Sequence, residues 1–250
     1  MRFVFFKIHK FYRALFLYPR KTLTNLSETN YDMYWKEKRG ANIGQLSSWQ
    51  KERAGFILSV IGKNEKEQVT IADIGCGDGS ILTYLKKNLL CSTQCVGYDG
   101  SEFALECAYE SGVETHIIDI SKKESFVQLA RADYYLLLET LEHIPHSEEL
   151  LLHALLKSNK GVFFSVPNTG YIRHRLRLLF GKFPLQWCIF PNEHVRFWTY
   201  ADLKWWLKAL HIENYHIHCY KGVPIFNKIL PGLFTAGMIV MIPSAKRSQG

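Results

Sequence analysis

The chain has 250 residues, of which 47% are hydrophobic and 14% aromatic, enough for one large domain and too many for a disordered protein. Its net charge of +8 is uneven: residues 1–21 carry six basic side chains and no acid, and residues 171–196 carry five against one acid. Because the remainder is slightly acidic, the charge distribution argues against a uniformly basic nucleic-acid binder.

The six cysteines include no C-x-x-C pair and no histidine-rich zinc spacing, so no metal site is predicted from them. In a chain of this length they are expected to be reduced thiols of a cytoplasmic protein. No run approaches the ~18–20 apolar residues of a membrane span. Basic residues interrupt the N-terminal segment, which also lacks a small-residue cleavage site, so no signal peptide is expected.

From about residue 47 the hydrophobic pattern alternates between helical and strand periods. Helices are predicted over 47–63, 79–90, 101–112, 147–158 and 199–210. Strands are predicted over 69–74, 95–99, 114–119, 133–139, 161–167, 214–220 and 236–243. This rhythm predicts an α/β fold with a doubly wound, mostly parallel seven-stranded sheet.

The alternation also suggests how the chain is divided. Residues 1–45 form an N-terminal extension, residues 46–243 the main domain and residues 244–250 a tail. Within the extension, residues 19–45 are polar and rich in turn formers, which is typical of a linker. The alternation of helix and strand patterns stops over 168–198. An irregular segment of that length is typical of a lid or binding element.

The stretch TIADIGCGDGSIL, residues 70–82, places an acid and three glycines where the first strand ends. Ser80 occupies the position at which a dinucleotide-binding loop needs glycine or alanine, and no G-x-x-x-x-G-K-[ST] phosphate loop occurs. An acid at Asp73, ahead of Gly75, Gly77 and Gly79, suits a ligand with an ammonium and a sulfonium better than a pyrophosphate. The glycines allow a sharp turn and close approach of a ligand to the backbone.

Three further acids follow the next predicted strands. Asp99 can accept hydrogen bonds from ribose hydroxyls. Asp119 is within reach of an adenine amino group, or is only a helix cap, and Glu139 lies near the ligand, or is only a solvated acid at a helix start. Because the carboxyl ends of parallel strands share one edge of a sheet, all four acids are expected at that edge.

The ordered motifs ADIGCGDG, VGYD, IID and LLETLEHIP resemble those of class I S-adenosylmethionine-dependent methyltransferases, over about residues 50–243. DIGCGDGSIL, SVPNTGYIRHRLRLLFGKFP and NEHVRFWTYADL resemble the MetW-like branch. The resemblance implies S-adenosyl-L-methionine as cofactor and a Rossmann-like sheet. It implies the following cofactor-binding residues: Asp73, Gly75, Cys76, Gly77 and Gly79 at the methionine moiety, Asp99 and Gly100 at the ribose, Asp119 and Ile120 at the adenine, and Glu139 beside the reactive half.

The candidate catalytic residues are Glu142, His143 and His194. His143 suits a general base that deprotonates the methyl acceptor. It equally suits a residue that orients the substrate or packs beneath the lid. A dedicated base is not required, because holding donor and acceptor in line supplies much of the rate of methyl transfer.

Two basic segments leave alternatives open. The lid arginines Arg173, Arg175 and Arg177 recognise a phosphate or carboxylate of the acceptor, or form a solvated face over apolar residues. Residues 1–19 have the pattern of a basic amphipathic helix, which contacts a membrane surface or a partner's groove, or caps the cofactor pocket.

The expected activity is methyl transfer to an oxygen, nitrogen or carbon atom of a small molecule, anionic or lipid-linked. The alternative is a non-catalytic MetW-like partner that regulates a biosynthetic enzyme. No nucleic-acid partner is expected. The expected location is the cytoplasm, with peripheral contact at the inner membrane surface through residues 1–21.

Overall fold

The computed structural model describes residues 31–39, 42–184 and 194–244. Its strands are β1 Val69–Ile74, β2 Thr93–Asp99, β3 Glu114–Ile117, β4 Ala132–Leu138, β5 Ser158–Pro167, β6 His216–Tyr220 and β7 Gly237–Pro243. They form one sheet in the order β3-β2-β1-β4-β5-β7-β6. β7 is antiparallel to both of its neighbours, and the other pairs are parallel. The predicted mostly parallel, seven-stranded sheet is confirmed.

The helices are α1 Tyr31–Arg39, α2 Ser48–Asn64, α3 Ser80–Asn88, α4 Glu102–Glu110, α5 Ser147–Lys157, α6 Ile172–Leu179, α7 Tyr200–Ala209, α8 Phe226–Ile229 and α9 Pro231–Phe234. Short 3-10 turns cover Lys123–Gln128 and Leu141–His143. Side-chain caps start three of the predicted helices: Ser47 and Thr199 form capping boxes, and Ser101 accepts from the Ala104 amide.

Helices cover both faces of the sheet, as the nearly unbroken apolar run of β4 predicts. Consecutive β4 residues alternate between two buried apolar layers. Tyr135 and Leu137 belong to one layer, and Tyr134, Leu136 and Leu138 to the other. Since both faces are filled, the carboxyl ends of the parallel strands are the open edge of this sheet at which side chains can meet a ligand.

Helix α1 lies inside the segment that the sequence predicts to be a linker, and that prediction is wrong for Tyr31–Arg39. Its partner comes from α4: Asp32 Oδ1 accepts from Ser101 Oγ at 2.5 Å and from the Phe103 amide at 3.3 Å. The Lys36 ammonium lies 5.2 Å from the centre of the Phe103 ring. Because the contacts that hold the helix are tertiary, its local composition gives little sign of it. The basic amphipathic helix predicted within 1–19 lies outside the described residues.

The predicted lid contains α6, and two of its three arginines bind lid backbone. Arg177 is 1% exposed and donates from Nε to the Phe183 carbonyl at 3.0 Å. Arg175 donates from Nε to the Gly170 carbonyl at 2.6 Å. The alternative prediction of a solvated basic face holds for Arg173 and Arg175, which are exposed, and is wrong for Arg177, which is buried. Residues 185–193 of the lid lie outside the described part.

The cysteines and the helices bear on two expectations from the sequence, that the thiols are reduced and that no segment spans a membrane. Five cysteines are free thiols there: Cys76, Cys91, Cys95, Cys107 and Cys219. Within 31–39, 42–184 and 194–244, no helix has the length and apolar character needed to cross a membrane. Peripheral membrane contact through residues 1–21 stays a prediction, because that segment is not described.

Candidate active site

The glycine loop between β1 and α3 turns sharply at the open edge of the sheet. Gly75 and Gly77 have φ values of 79° and 53°, in the left-handed region that favours glycine. A Cβ at Gly75 would lie 2.8 Å from Thr140 Oγ1, and one at Gly77 would lie 2.0 Å from the Trp35 ring. The loop therefore has no room for side chains at these two positions, and α1 places an aromatic ring against it.

Asp73 is a buried carboxylate with unused hydrogen-bonding capacity. Its side chain is 3% exposed, and within the described part of the chain Oδ1 has no hydrogen-bond partner. Burial, and then the nearby charge of Asp99, raise the pKa of Asp73 to about 8, while Arg53 opposes the shift. A cationic group of a ligand would satisfy such an acid, as the sequence predicts.

Asp99 joins the glycine loop to the start of α4. Its Oδ2 accepts from the Gly77 amide at 2.8 Å, and its Oδ1 accepts from the Ser101 amide at 2.9 Å. Burial raises the pKa of Asp99, although the amides of Ser101, Gly77 and Gly100 oppose that shift. A carboxylate oxygen accepts more than one hydrogen bond, so Asp99 retains capacity for ribose hydroxyls while it positions the loop.

Asp119 and Cys76 already have partners within the chain. Asp119 accepts from Ser121 Oγ at 2.6 Å and pairs with Lys122 Nζ at 3.0 Å; the Ser121 bond lowers the pKa of Asp119. These contacts lie within a turn, and Lys122 rather than Asp119 is the N-cap of the 3-10 helix Lys123–Gln128, so the helix-cap alternative is wrong. Asp119 also borders a surface depression of about 430 Å³. The Cys76 thiol packs in the core, where a Cβ at Gly97 would lie 2.7 Å from its Sγ. Because its thiol is packed in the core, Cys76 is expected to contact the cofactor only through its backbone atoms. The cofactor role of Asp119 stays a prediction.

Glu139 follows β4 with φ of 57° and forms a buried network that the sequence analysis missed. Its Oε1 accepts from Ser165 Oγ at 2.8 Å and pairs with Arg53 Nη1 at 3.1 Å. Tyr220, from β6, donates to the same oxygen at 3.4 Å. One signal was available: Arg53 lies four residues before Ile57, on the row that α2 buries.

Arg53 is the cation that balances Glu139, and it is 7% exposed. Burial alone would lower its pKa, but the charges of Glu139 and Tyr220 outweigh that effect and hold the pKa above its ordinary value. The guanidinium is therefore permanently charged, and its Nη1 pairs with Glu139 Oε1 at 3.1 Å.

The structure brings together all three candidate catalytic residues. Donor atoms of Glu142, His143 and His194 lie within 4.8 Å of one another. The two imidazole rings are perpendicular, with centres 4.7 Å apart. Glu142 is 0% exposed; burial, and then the charge of Glu139, raise its pKa well above the ordinary value. The histidines are half-buried, so the cluster is reached from the histidine side.

Exposed aromatic side chains continue from this cluster toward solvent. The Phe197 ring lies 6.4 Å from His194 and 5.9 Å from Phe183, measured between ring centres. Phe183 is 60% exposed and Phe197 is 42% exposed. An apolar wall of this kind beside half-buried histidines suits the body of an organic acceptor.

The strand order, the glycine loop and the acids at the strand tips define the Rossmann-like fold of class I methyltransferases. The model of the methyltransferase-domain family matches residues 44–217, and the chain belongs to this family. It is an S-adenosylmethionine-dependent enzyme. A comparison with curated proteins returned no match. The more specific resemblance to the MetW-like branch stays a prediction.

Solved structures share the fold. Magnesium protoporphyrin IX methyltransferase from Synechocystis PCC 6803, with S-adenosylhomocysteine bound, matches with a TM-score of 0.54 and 15% identity over 97% of this chain and 95% of that one. A Thermotoga maritima methyltransferase matches with a TM-score of 0.56 and 15% identity, over 86% and 98%. The small RNA methyltransferase HEN1 matches with a TM-score of 0.58 and 25% identity over 80% of this chain, which spans only 26% of HEN1.

The described residues fit S-adenosylmethionine. Among the described residues Asp73 Oδ1 has no hydrogen-bond partner, so an ammonium group of the cofactor could satisfy it. Asp99 is held at the tip of β2, where ribose hydroxyls are expected. When bound, this cofactor supplies an electrophilic methyl group on a sulfonium sulfur.

Proposed function

We propose that this methyltransferase methylates an oxygen atom of a small molecule that has an apolar body. The observation that carries the proposal is the convergence of Glu142, His143 and His194 at the open edge of the sheet, one turn beyond Glu139. Imidazole is basic near neutral pH and can accept the proton that a hydroxyl group loses as its oxygen is methylated. The acceptor would enter from the half-buried histidine side.

The walls of the entrance support an apolar acceptor. Phe183 and Phe197 are exposed beside His194. An anionic acceptor has less support, because Arg175 and Arg177 donate to backbone carbonyls of the lid. Two structural relatives are a magnesium protoporphyrin IX methyltransferase and the plantazolicin methyltransferase BamL, whose named acceptors are consistent with a small molecule.

Glu139 and its network would set the geometry of the reaction. Because Arg53, Ser165 and Tyr220 hold the Glu139 carboxylate, this side chain is a rigid wall between the cofactor and the acceptor. The enzyme then gains rate mainly by holding the acceptor oxygen in line with the methyl group. His143 and His194 are the groups within reach of the acceptor proton.

Calorimetry tests the cofactor half of this proposal. S-adenosylhomocysteine should bind the full chain, and Asp99→Ala should weaken binding by about tenfold or more, since a charge-assisted hydrogen bond is worth ~1.5–3 kcal/mol. Glu114→Gln, an exposed acid of β3, is the matched control and should bind as tightly as the wild type. Equal affinities of Asp99→Ala and wild type would contradict the site.

Labelling tests the acceptor half. The chain is incubated with S-adenosylmethionine carrying a radioactive methyl group and with either the small-molecule or the RNA fraction of a cell extract. The proposal expects label in a small, apolar product, and mass spectrometry should locate the methyl group on oxygen. Label in RNA, or on nitrogen or carbon, would contradict it. Cofactor binding without transfer to any fraction, together with a stoichiometric co-purifying enzyme, would favour the regulatory alternative.

A further inference from the structure

The carboxylate of Glu142 is buried without a hydrogen-bond partner among residues 31–39, 42–184 and 194–244. The side chain is 0% exposed, and neither Oε1 nor Oε2 has a partner within hydrogen-bonding distance in these ranges. Arg53 is the nearby cation, but its Nη1 binds Glu139. Buried carboxylates without partners are rare because their desolvation is costly, and an ion that is not part of the chain is a common explanation.

The surroundings of Glu142 have the composition and spacing of a cation site. One ligand atom from each of Glu142, His143 and His194 lies within 4.8 Å of the other two. Ligand bonds of ~2.1 Å place neighbouring donors about 3.0–3.5 Å apart around a metal ion. Small side-chain rotations would therefore bring the three donors to coordination distance.

The chain holds these ligands together although they come from distant segments. The amides of Val195 and Arg196 donate to the Glu142 carbonyl at 2.8 and 3.1 Å, which fixes His194 next to the turn that carries Glu142 and His143. Arg196 pairs with Glu148 of α5. Trp206 of α7 donates to the same Glu148 oxygen at 2.7 Å. Such a scaffold around the ligands is typical of a built metal site.

We propose that Glu142, His143 and His194 bind one divalent transition-metal ion of the Mn²⁺, Co²⁺ or Zn²⁺ class. Two imidazoles with one carboxylate favour these ions over Mg²⁺ and Ca²⁺, which prefer oxygen ligands only. Three protein ligands leave coordination positions open toward the half-buried histidine side. If the proposed O-methylation holds, the acceptor hydroxyl would occupy one of these positions, and the ion would promote loss of its proton by lowering its pKa, in place of proton uptake by the imidazoles. Binding of the ion itself does not depend on this reaction.

The test uses the full chain without an affinity tag, stripped of metal by a chelator. It is then titrated with Mn²⁺ or Zn²⁺ alone, and the bound metal is measured by elemental analysis after gel filtration. We expect about one equivalent in the wild type. Glu142→Gln and His194→Ala should each weaken binding at least about tenfold. Co²⁺ loading should give an absorption spectrum that changes in His194→Ala.

The matched controls are Glu149→Gln and His116→Ala. Both residues are exposed, and they pair elsewhere, with Lys123 at 2.5 Å and with Glu114 at 3.0 Å. They should bind metal as the wild type does. The proposal is overturned if the wild type takes up less than a stoichiometric amount, or if Glu142→Gln and His194→Ala bind metal as tightly as the controls.

Binding of S-adenosylhomocysteine, measured on the same samples, separates the two proposals. Retained nucleoside binding without metal binding would refute the metal site and leave the methyltransferase assignment intact. Metal binding with O-methylation absent would refute the proposed acceptor chemistry alone. If Glu142→Gln fails to fold, the half-buried His194→Ala decides the question.

Discussion

The two halves of the candidate active site, a cofactor half and the proposed acceptor half, are built in different ways. The cofactor half consists of Asp73, the glycine loop and Asp99, which lie within about 30 residues of one another and are joined through backbone amides. The acceptor half depends on side-chain contacts between distant segments, such as Glu139 with Tyr220, 81 residues apart. A loop held by backbone tolerates changes in its surroundings, whereas the acceptor half depends on individual side chains.

The two halves also differ in charge balance. Asp73 is buried near a second acid, Asp99, and its pKa is raised to about 8. Glu139 is instead paired with Arg53 at 3.1 Å. The cofactor half is therefore short of positive charge until a cationic ligand binds, while Glu139 is compensated by the chain itself. Three experiments with substituted proteins would break or sharpen this contrast.

Arg53→Met should have the largest effect. It removes the buried cation of the pair and leaves Glu139 with only its hydrogen bonds to Ser165 and Tyr220, which should lower the free energy of unfolding by about 3 kcal/mol. Urea denaturation measures the change. Lys221→Met is the matched control, because Lys221 forms a more exposed pair with Glu52 at 3.1 Å and should change stability by less than about 1 kcal/mol. Equal losses in the two variants would show that Glu139 does not need its cation.

Asp73→Asn should stabilise the protein without cofactor. Because the folded state binds the Asp73 proton more tightly than the unfolded state, wild-type stability should fall as pH rises from about 4 toward 8. The asparagine variant lacks the Asp73 part of this dependence and keeps that of Asp99 and Glu142, so it should be more stable than the wild type at pH 8 by about 1–3 kcal/mol. Thermal melts of both proteins across this range measure the difference.

The same substitution should weaken cofactor binding, since it removes the negative charge that an ammonium group would meet. Calorimetry with S-adenosylhomocysteine at pH 8 measures this loss. Melting curves of the two proteins that run parallel across the pH range would contradict the raised pKa of Asp73.

Gly77→Ala, combined with Trp35→Ala, tests how α1 covers the glycine loop, with a smaller expected effect. Alanine at φ of 53° is strained, and its Cβ would lie 2.0 Å from the Trp35 ring. The single Gly77→Ala change should cost about 1–2 kcal/mol. In the Trp35→Ala background only the backbone strain remains, so the cost should be smaller. A double-mutant cycle from urea denaturation measures the coupling, and equal costs in both backgrounds would show that the ring does not contact the loop.

The sequence by itself determined the alternation of helices and strands, the glycine loop and the acids at the strand tips. These features depend on local periodicity and on glycine, and in parallel strands they converge by topology alone. Only the tertiary structure decided where α1 packs, that Arg53 pairs with Glu139, and that His194 meets Glu142. Arg53 and Tyr220 are separated by 167 residues, and no local pattern encodes a partner at such a distance. Burial then sets the pKa values of these side chains, because a buried ionisable group loses its hydration and interacts with neighbouring protein groups instead.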